Sequence, residues 1–212
     1  IQPSQFVSVV LLPCGDILSV SRGEFIADGN TLKFSTKTNN CSLELPNVQM
    51  PAVKNASGYF IKSGMDLIDL FIGSEGTLGI IIEIKLKLIE LPKELLSVVV
   101  FFNDENDGLN FIDEARSASR FNKDNELELS ARGLEFFDSN SLKFLSKEFN
   151  NIPGDAGCAV WFEQENFTDE LLGKWLDLII KHNADPDKAW IASNTVDLER
   201  FKDFRHSISW KV

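Results

Sequence analysis

The sequence predicts an α+β fold: an antiparallel sheet with helices packed on one side, preceded by a smaller strand-rich part. Three observations carry the prediction. Apolar residues alternate at period two in runs too short for a long parallel sheet. Stretches with apolar residues at helical spacing lie between those runs, so the second half reads β-α-β-α-β-α-β-α. Pro92 separates two apolar runs and is the best boundary, dividing the chain into parts 1–91 and 92–212.

The elements follow in order. Val7, Val9 and Leu11 alternate, Pro13-Cys14-Gly15-Asp16 supplies turn chemistry, and Ile17, Leu18 and Val20 resume, which gives a hairpin. Asp28-Gly29-Asn30 is a second turn, and the polar stretch 36–47 reads as a surface loop. Met65, Leu67, Ile68, Leu70 and Phe71 share a helical face, with Asp66 and Asp69 away from it. Residues 80–90 alternate, with Ile82, Ile84, Leu86 and Leu88 on one face and Glu83, Lys85 and Lys87 on the other, as in a half-buried strand. Beyond Pro92, strands are expected at 95–102, 127–137, 156–165 and 189–193. Helices are expected at 107–120, with Leu109, Ile112, Ala115 and Ala118 or Ser119 at helical spacing and Asp104 or Asn106 as cap; at 139–149; at 168–183, capped by Thr168 with Leu172, Trp175 and Ile179 inward; and from about 196, with Phe201, Phe204 and Ile208 inward.

Between the first helix and the following strand lies Gly73-Ser74-Glu75-Gly76-Thr77-Leu78-Gly79-Ile80. Glycine admits positive φ and lets a ligand approach bare peptide groups. A dinucleotide fingerprint or phosphate loop needs the order strand, glycine turn, helix, so that a helix N-terminus meets the phosphates. The order here is helix, glycine turn, strand, and the spacing is G-x-x-G-x-x-G with no Lys-Ser/Thr pair after it, which excludes both. Two readings remain on spacing alone: a tight structural turn, or a turn that exposes its backbone to a flat, polar-edged ligand.

Composition narrows the class. Apolar residues at 43% and charged residues at 25% are ordinary for a globular protein. A net charge of −11 argues against general nucleic-acid binding and against docking on an acidic membrane by charge. No apolar run reaches the roughly 18–20 residues of a membrane span. Cys14, Cys41 and Cys158 are too few and too scattered for a disulfide framework or zinc site, and as free thiols they fit a reducing compartment, most simply the cytoplasm. The acidic stretches 103–107 and 124–128 lack calcium-ligand spacing and read as solvated faces.

Two motifs carry a resemblance. Lys54-Asn55-Ala56-Ser57-Gly58-Tyr59 matches K-[ND]-x-[AST]-G-Y, and residues 66–80 match D-L-x-x-L-[FL]-[IV]-G-S-E-G-T-L-G-[IV]. Together they resemble the FAD-linked oxidases of the vanillyl-alcohol oxidase type, nearest to the glycolate oxidase, D-lactate dehydrogenase and D-2-hydroxyglutarate dehydrogenase group. The resemblance implies the C-terminal part of an FAD-binding domain at 1–91 and a truncated, ferredoxin-like antiparallel cap over the substrate at 92–212. It implies FAD contacts at Glu75, Gly76, Thr77, Leu78, Gly79 and Ile80. It further implies hydride transfer from a small 2-hydroxy acid to flavin, with an electron acceptor the motifs do not name. Two family features are missing. No R-x-G-G-G-[TS] phosphate loop precedes the motifs, and His182 and His206 are not at metal spacing, so no metal site is expected. The chain therefore reads as a fragment whose parent is the enzyme.

Arg205, in Phe204-Arg205-His206-Ser207-Ile208, resembles the family's R-[HEY]-x-[IL] segment, which implies a role in binding the substrate carboxylate. Arginine suits that role through its bidentate fork. The alternative is a surface arginine paired with Asp203 or Glu199. His206 sits about 100° round the helix from Arg205 and reads as structural rather than as a base. His182 reads as a cation complementing a helix C-terminus. Lys54 and Asn55 are further polar candidates near the cofactor, and Tyr59 could pack or touch flavin. Two other functions fit the same residues. One is an FAD-using transferase like alkylglycerone-phosphate synthase. The other is a non-catalytic contact module whose bared apolar face would favour a homodimer.

Overall fold

A computed structural model describes residues 5–51, 56–88, 90–92, 94–121, 128–166, 168–192 and 194–211. The chain divides into two compact units, Ile1–Glu90 and Leu91–Val212.

The first unit opens on strands β1 (Gln5–Leu11) and β2 (Ile17–Ser21), an antiparallel hairpin in which Val10 faces Leu18. Its turn closes through Gly15 N–H donating to the Leu12 carbonyl at 2.9 Å. Strands β3 (Thr31–Ser35) and β4 (Asn40–Glu44) make a second hairpin. β4 replaces the loop expected over 36–47: its side chains are mostly exposed, so no apolar alternation announces it. The bend instead shows in its polar chemistry. Thr36 N–H donates to the Asn39 carbonyl at 2.8 Å, and Thr36, Thr38 and Asn39 side chains all donate to Asp16, holding its carboxyl below the usual range.

Helix α1 (Leu67–Phe71) is short and buries Leu67, Ile68, Leu70 and Phe71 against Val10, Leu18, Val20 and Leu32. Asp66 and Asp69, expected to face away, are tied in. Asp66 is buried, accepts from Ile68 N–H at 3.2 Å as helix cap and from Gly23 N–H at 2.6 Å, while Arg22 Nη1 lies 2.6 Å from Asp69. Strand β5 (Ile80–Leu86) adds to the other side of β1, giving the antiparallel order β2-β1-β5. Every residue of β5 is exposed, Ile82 at 54% and Ile84 at 47%, which corrects the half-buried strand expected there. Alternation marks two different faces, but burial also needs a covering layer, and the core of this unit includes no residue of β5.

The second unit runs β6 (Leu95–Phe102), α2 (Glu105–Phe121), β7 (Ala131–Phe137), α3 (Ser139–Leu145), β8 (Cys158–Glu165), α4 (Asp169–Lys181), β9 (Trp190–Ile191) and α5 (Thr195–Lys211). The alternation of strand and helix is as expected, and the sheet is antiparallel throughout in the order β7-β8-β6-β9. Its first and third strands are central, the ferredoxin-like order. Caps account for three helix starts. Asp104 accepts from Asn106 N–H at 2.7 Å, Asp138 from Ser141 N–H at 2.7 Å and Thr168 from Leu171 N–H at 3.3 Å.

Helices cover both faces of this sheet, not one. Val98, Val100, Phe102, Val160 and Phe162 meet α2 and α4 through Phe111, Ala115, Trp175 and Ile179. Val99, Phe101, Ala159 and Trp161 meet α3 and α5 through Leu142, Leu145, Phe201 and Phe204. The continuous apolar runs Val98-Val99-Val100-Phe101-Phe102 of β6 and Cys158-Ala159-Val160-Trp161-Phe162 of β8 are the signature of a strand buried on both sides. On α2 Ala115 is buried and Ile112 packs on the same core, as expected, but Leu109 is exposed and Gly108 and Phe111 complete the inward stripe. Leu127 and the acidic stretch 124–127 lie outside the described residues.

Candidate functional site

The glycine turn follows α1 directly. Ser74 is buried and its carbonyl accepts from Thr77 N–H at 3.0 Å and from Thr77 Oγ1 at 2.6 Å, which closes the bend. Glu75 and Gly76 both take positive φ, 52° and 78°. For glutamate that conformation is uncommon and strained, a cost often found where a loop is shaped for a ligand. Glu75, Gly76, Thr77 and Ile80 are exposed, Leu78 packs against the core of the unit, and Gly79 is buried. The two glycines differ in kind. A Cβ on Gly76 would meet nothing within 4 Å, whereas one on Gly79 would stand 2.7 Å from Val10 Cγ1 and 2.9 Å from the Leu11 carbonyl oxygen. Gly79 thus lets β5 start against β1, and Gly76 leaves bare peptide facing open space.

The two sequence motifs meet here. The Tyr59 hydroxyl is 2.7 Å from Thr77 Oγ1, so the tyrosine is tied to the turn rather than to a backbone group. Lys54 and Asn55 lie outside the described residues. Open glycine backbone, a strained Glu75 and a tethered Thr77 suit a flat ring resting on peptide groups, so the residues present fit a flavin.

Arg205 lies in the second unit, on α5 over the sheet. Its guanidinium carbon stands 4.5 Å from the centre of the Trp161 ring and its Nε is 2.8 Å from Glu135 Oε1. Neither Asp203 nor Glu199 is its partner: Glu199 pairs with Lys202. Trp161 Nε1 donates to the buried Ser97 hydroxyl at 3.0 Å. Next along this face, Arg132 Nε lies 3.2 Å from Glu163 Oε2, and Arg132 Nη1 lies 2.9 Å from Glu165 Oε1. Burial pushes the Glu163 carboxyl up, and Arg132 and Arg205 pull against that. Sequence reasoning missed Ser97, Arg132 and Glu163. The legible signal was Ser97 alone, a hydroxyl inside an apolar strand.

A pH dependence follows. The folded state holds the Glu163 proton more tightly than the unfolded chain, so its contribution to stability is full below the ordinary value of 4.5 and is lost as pH rises through the raised value. Glu163→Gln should flatten that fall in denaturant midpoints measured upward from about pH 4.5. Glu114 and Asp138 have the opposite sign: hydrogen bonds lower their values, so their contribution is lost as pH falls.

His182 ends α4, packs edge-on against Phe111, and its Nε2 lies 2.9 Å from Glu114, which Lys181 also binds at 2.6 Å. It ties α4 to α2. His206 is half-buried on α5. Cys14, Cys41 and Cys158 are free, and burial pushes the Cys158 thiol up to about 12, far from reactivity. Among the described residues no group of three or more His, Cys, Asp or Glu could hold a metal ion, and no helix is long and apolar enough to cross a membrane.

The motifs at 54–59 and 66–80 carry a likeness to the FAD-linked oxidases, and comparison with known proteins finds partial matches. Over 45 residues the chain is 49% identical to a D-lactate dehydrogenase of Anaerostipes hadrus, a stretch covering 21% of this chain and 10% of that protein. Among solved structures, a p-cresol methylhydroxylase with substrate bound aligns over 89% of this chain and 34% of its own, at 13% identity and TM-score 0.46. An alkyldihydroxyacetonephosphate synthase aligns over 85% of this chain and 32% of its own, at 18% identity and TM-score 0.41. No family model matches the chain. FAD is the cofactor that goes with this resemblance.

Proposed function

We propose that the chain is part of an FAD-dependent oxidoreductase that oxidises a small 2-hydroxy acid of the D-lactate or glycolate kind. Residues 1–91 contribute to the flavin-binding domain and residues 92–212 form the substrate-side domain. The observation that carries the reading is the exposed turn at Gly76, with open space over bare peptide and Tyr59 locked to Thr77. Glu75, Gly76, Thr77, Leu78, Gly79 and Ile80 hold the cofactor: the exposed members present backbone groups, and Leu78 and Gly79 anchor the turn to the core. Held there, the flavin would supply hydride-accepting chemistry for oxidation of the substrate. Arg205 receives the substrate carboxylate in its fork. The stretch of 49% identity to a D-lactate dehydrogenase supports the substrate class, and three free thiols fit a cytoplasmic setting. The open apolar strand β5 supports a homodimer as one assembly.

The test is spectroscopic. The purified gene product should carry flavin absorbance, and D-lactate added without oxygen should bleach it. A colourless protein overturns the cofactor. A yellow protein that D-lactate and glycolate both leave oxidised overturns the substrate class.

A further inference from the structure

We propose that Glu135 and Trp161 are positioning residues that hold the Arg205 guanidinium at a fixed angle, with Ser97 and Gly133 fixing the Trp161 ring beneath it. The inference rests on Arg205 as the carboxylate-binding group and concerns what orients it.

The device is built from four elements. Gly133 on β7 lies where a Cβ would stand 3.0 Å from Trp161 Cζ3 and 3.3 Å from Cη2, so a side chain there would press the ring aside by a few tenths of an ångström and the bare Cα lets it lie close. From β6, Ser97 is fully buried and accepts the indole N–H, which sets the rotation of that ring. Trp161 on β8 is itself buried and presents one face to the guanidinium. Glu135 is the cross-strand neighbour of Trp161, and it takes the Arg205 Nε.

A plane stacked on a fixed ring and ion-paired at one edge has little freedom left. With Nε turned to Glu135, the end that carries the two Nη groups is the one offered to a substrate carboxylate, end-on. The ion pair is partly exposed, with Arg205 and Glu135 side chains at 30% and 41%, and a pair so open to solvent adds little to stability. Orientation, which lowers the entropy lost on ligand binding, is the effect such a pair can supply.

The experiment uses the chain loaded with FAD, with D-lactate as probe. The Arg205 Nε–H resonance, assigned by its loss in Arg205→Lys, should be sharp and slow to exchange in the parent chain. Glu135→Gln should broaden it and weaken D-lactate binding about tenfold, with the unfolding midpoint unmoved. Trp161→Phe, which loses the bond to Ser97, should shift the same resonance and serves if Glu135→Gln fails to fold. Unchanged resonance and unchanged D-lactate affinity in the folded variants overturn the positioning role. If Arg205→Lys binds D-lactate as the parent does, the carboxylate role of Arg205 itself is overturned. A parent chain that does not bind D-lactate overturns both.

Discussion

Gly79→Ala should unfold the first unit at denaturant concentrations the parent chain withstands, while Gly76→Ala should leave the unit folded and strip its flavin. At Gly79 the added methyl meets Val10 Cγ1 at 2.7 Å and the Leu11 carbonyl at 2.9 Å, with φ at 155°. Neither neighbour can yield. Val10 is fully buried, and Leu11 is paired with Ile80 in the ladder between β1 and β5. Relief requires moving one strand from the other, at a cost of about 3 kcal/mol from overpacking and backbone strain together. At Gly76 the methyl meets no atom, and the cost is only that of holding alanine at φ 78°, about 1 kcal/mol. That methyl does occupy the open space over the peptide groups, where the cofactor is proposed to rest. Denaturant midpoints and flavin absorbance, read on both variants, separate the two. Equal destabilisation, or full flavin retention in Gly76→Ala, would contradict the division of roles between these glycines.

The second large effect is in the other unit. Trp175→Ala should cost about 4 kcal/mol, near the upper range for emptying a core site. Trp175 is fully buried on α4, its ring stacks on Phe162 with centroids 4.1 Å apart, and its Nε1 donates to Gln164 Oε1 at 2.7 Å. Gln164, also buried, accepts from Ser130 N–H with the same oxygen and donates to the Glu128 carbonyl at 3.1 Å. Removing the indole therefore opens a cavity and loosens the amide that ties the approach to β7. Trp175→Phe keeps the ring contact and loses the hydrogen bond, so it should cost about 1–2 kcal/mol. Urea midpoints followed by far-UV circular dichroism measure both. A Trp175→Ala midpoint close to that of Trp175→Phe would mean that α4 closes over the site and that the packing argument is wrong.

Some of this architecture was legible residue by residue. The strand over 95–102 and the Thr168 cap follow from apolar runs and capping chemistry, both local properties. The turn at 73–80 was legible as a turn, because glycine spacing reports conformational freedom directly, but whether its backbone is exposed was decided by the packing around it. Layers were harder. The β6 and β8 runs carried the signal for two covered faces, but choosing two helical layers requires knowing which helix crosses to which side. The exposure of β5 was hidden for the converse reason: alternating Ile82, Ile84 and Leu86 specify a face and not the element that covers it.

The candidate site divides in the same way. Sequence motifs alone marked Gly76, Thr77 and Arg205, since their residue types and spacing are specific. Tertiary structure alone brought Tyr59 to Thr77 and set Trp161, Glu135 and Ser97 around Arg205, because pairing of β6, β7 and β8 joins residues far apart in the chain. Local chemistry determined which groups could act and where the backbone could bend. Strand register and helix packing decided which of those groups share a surface, since contacts across a sheet depend on how the whole unit closes.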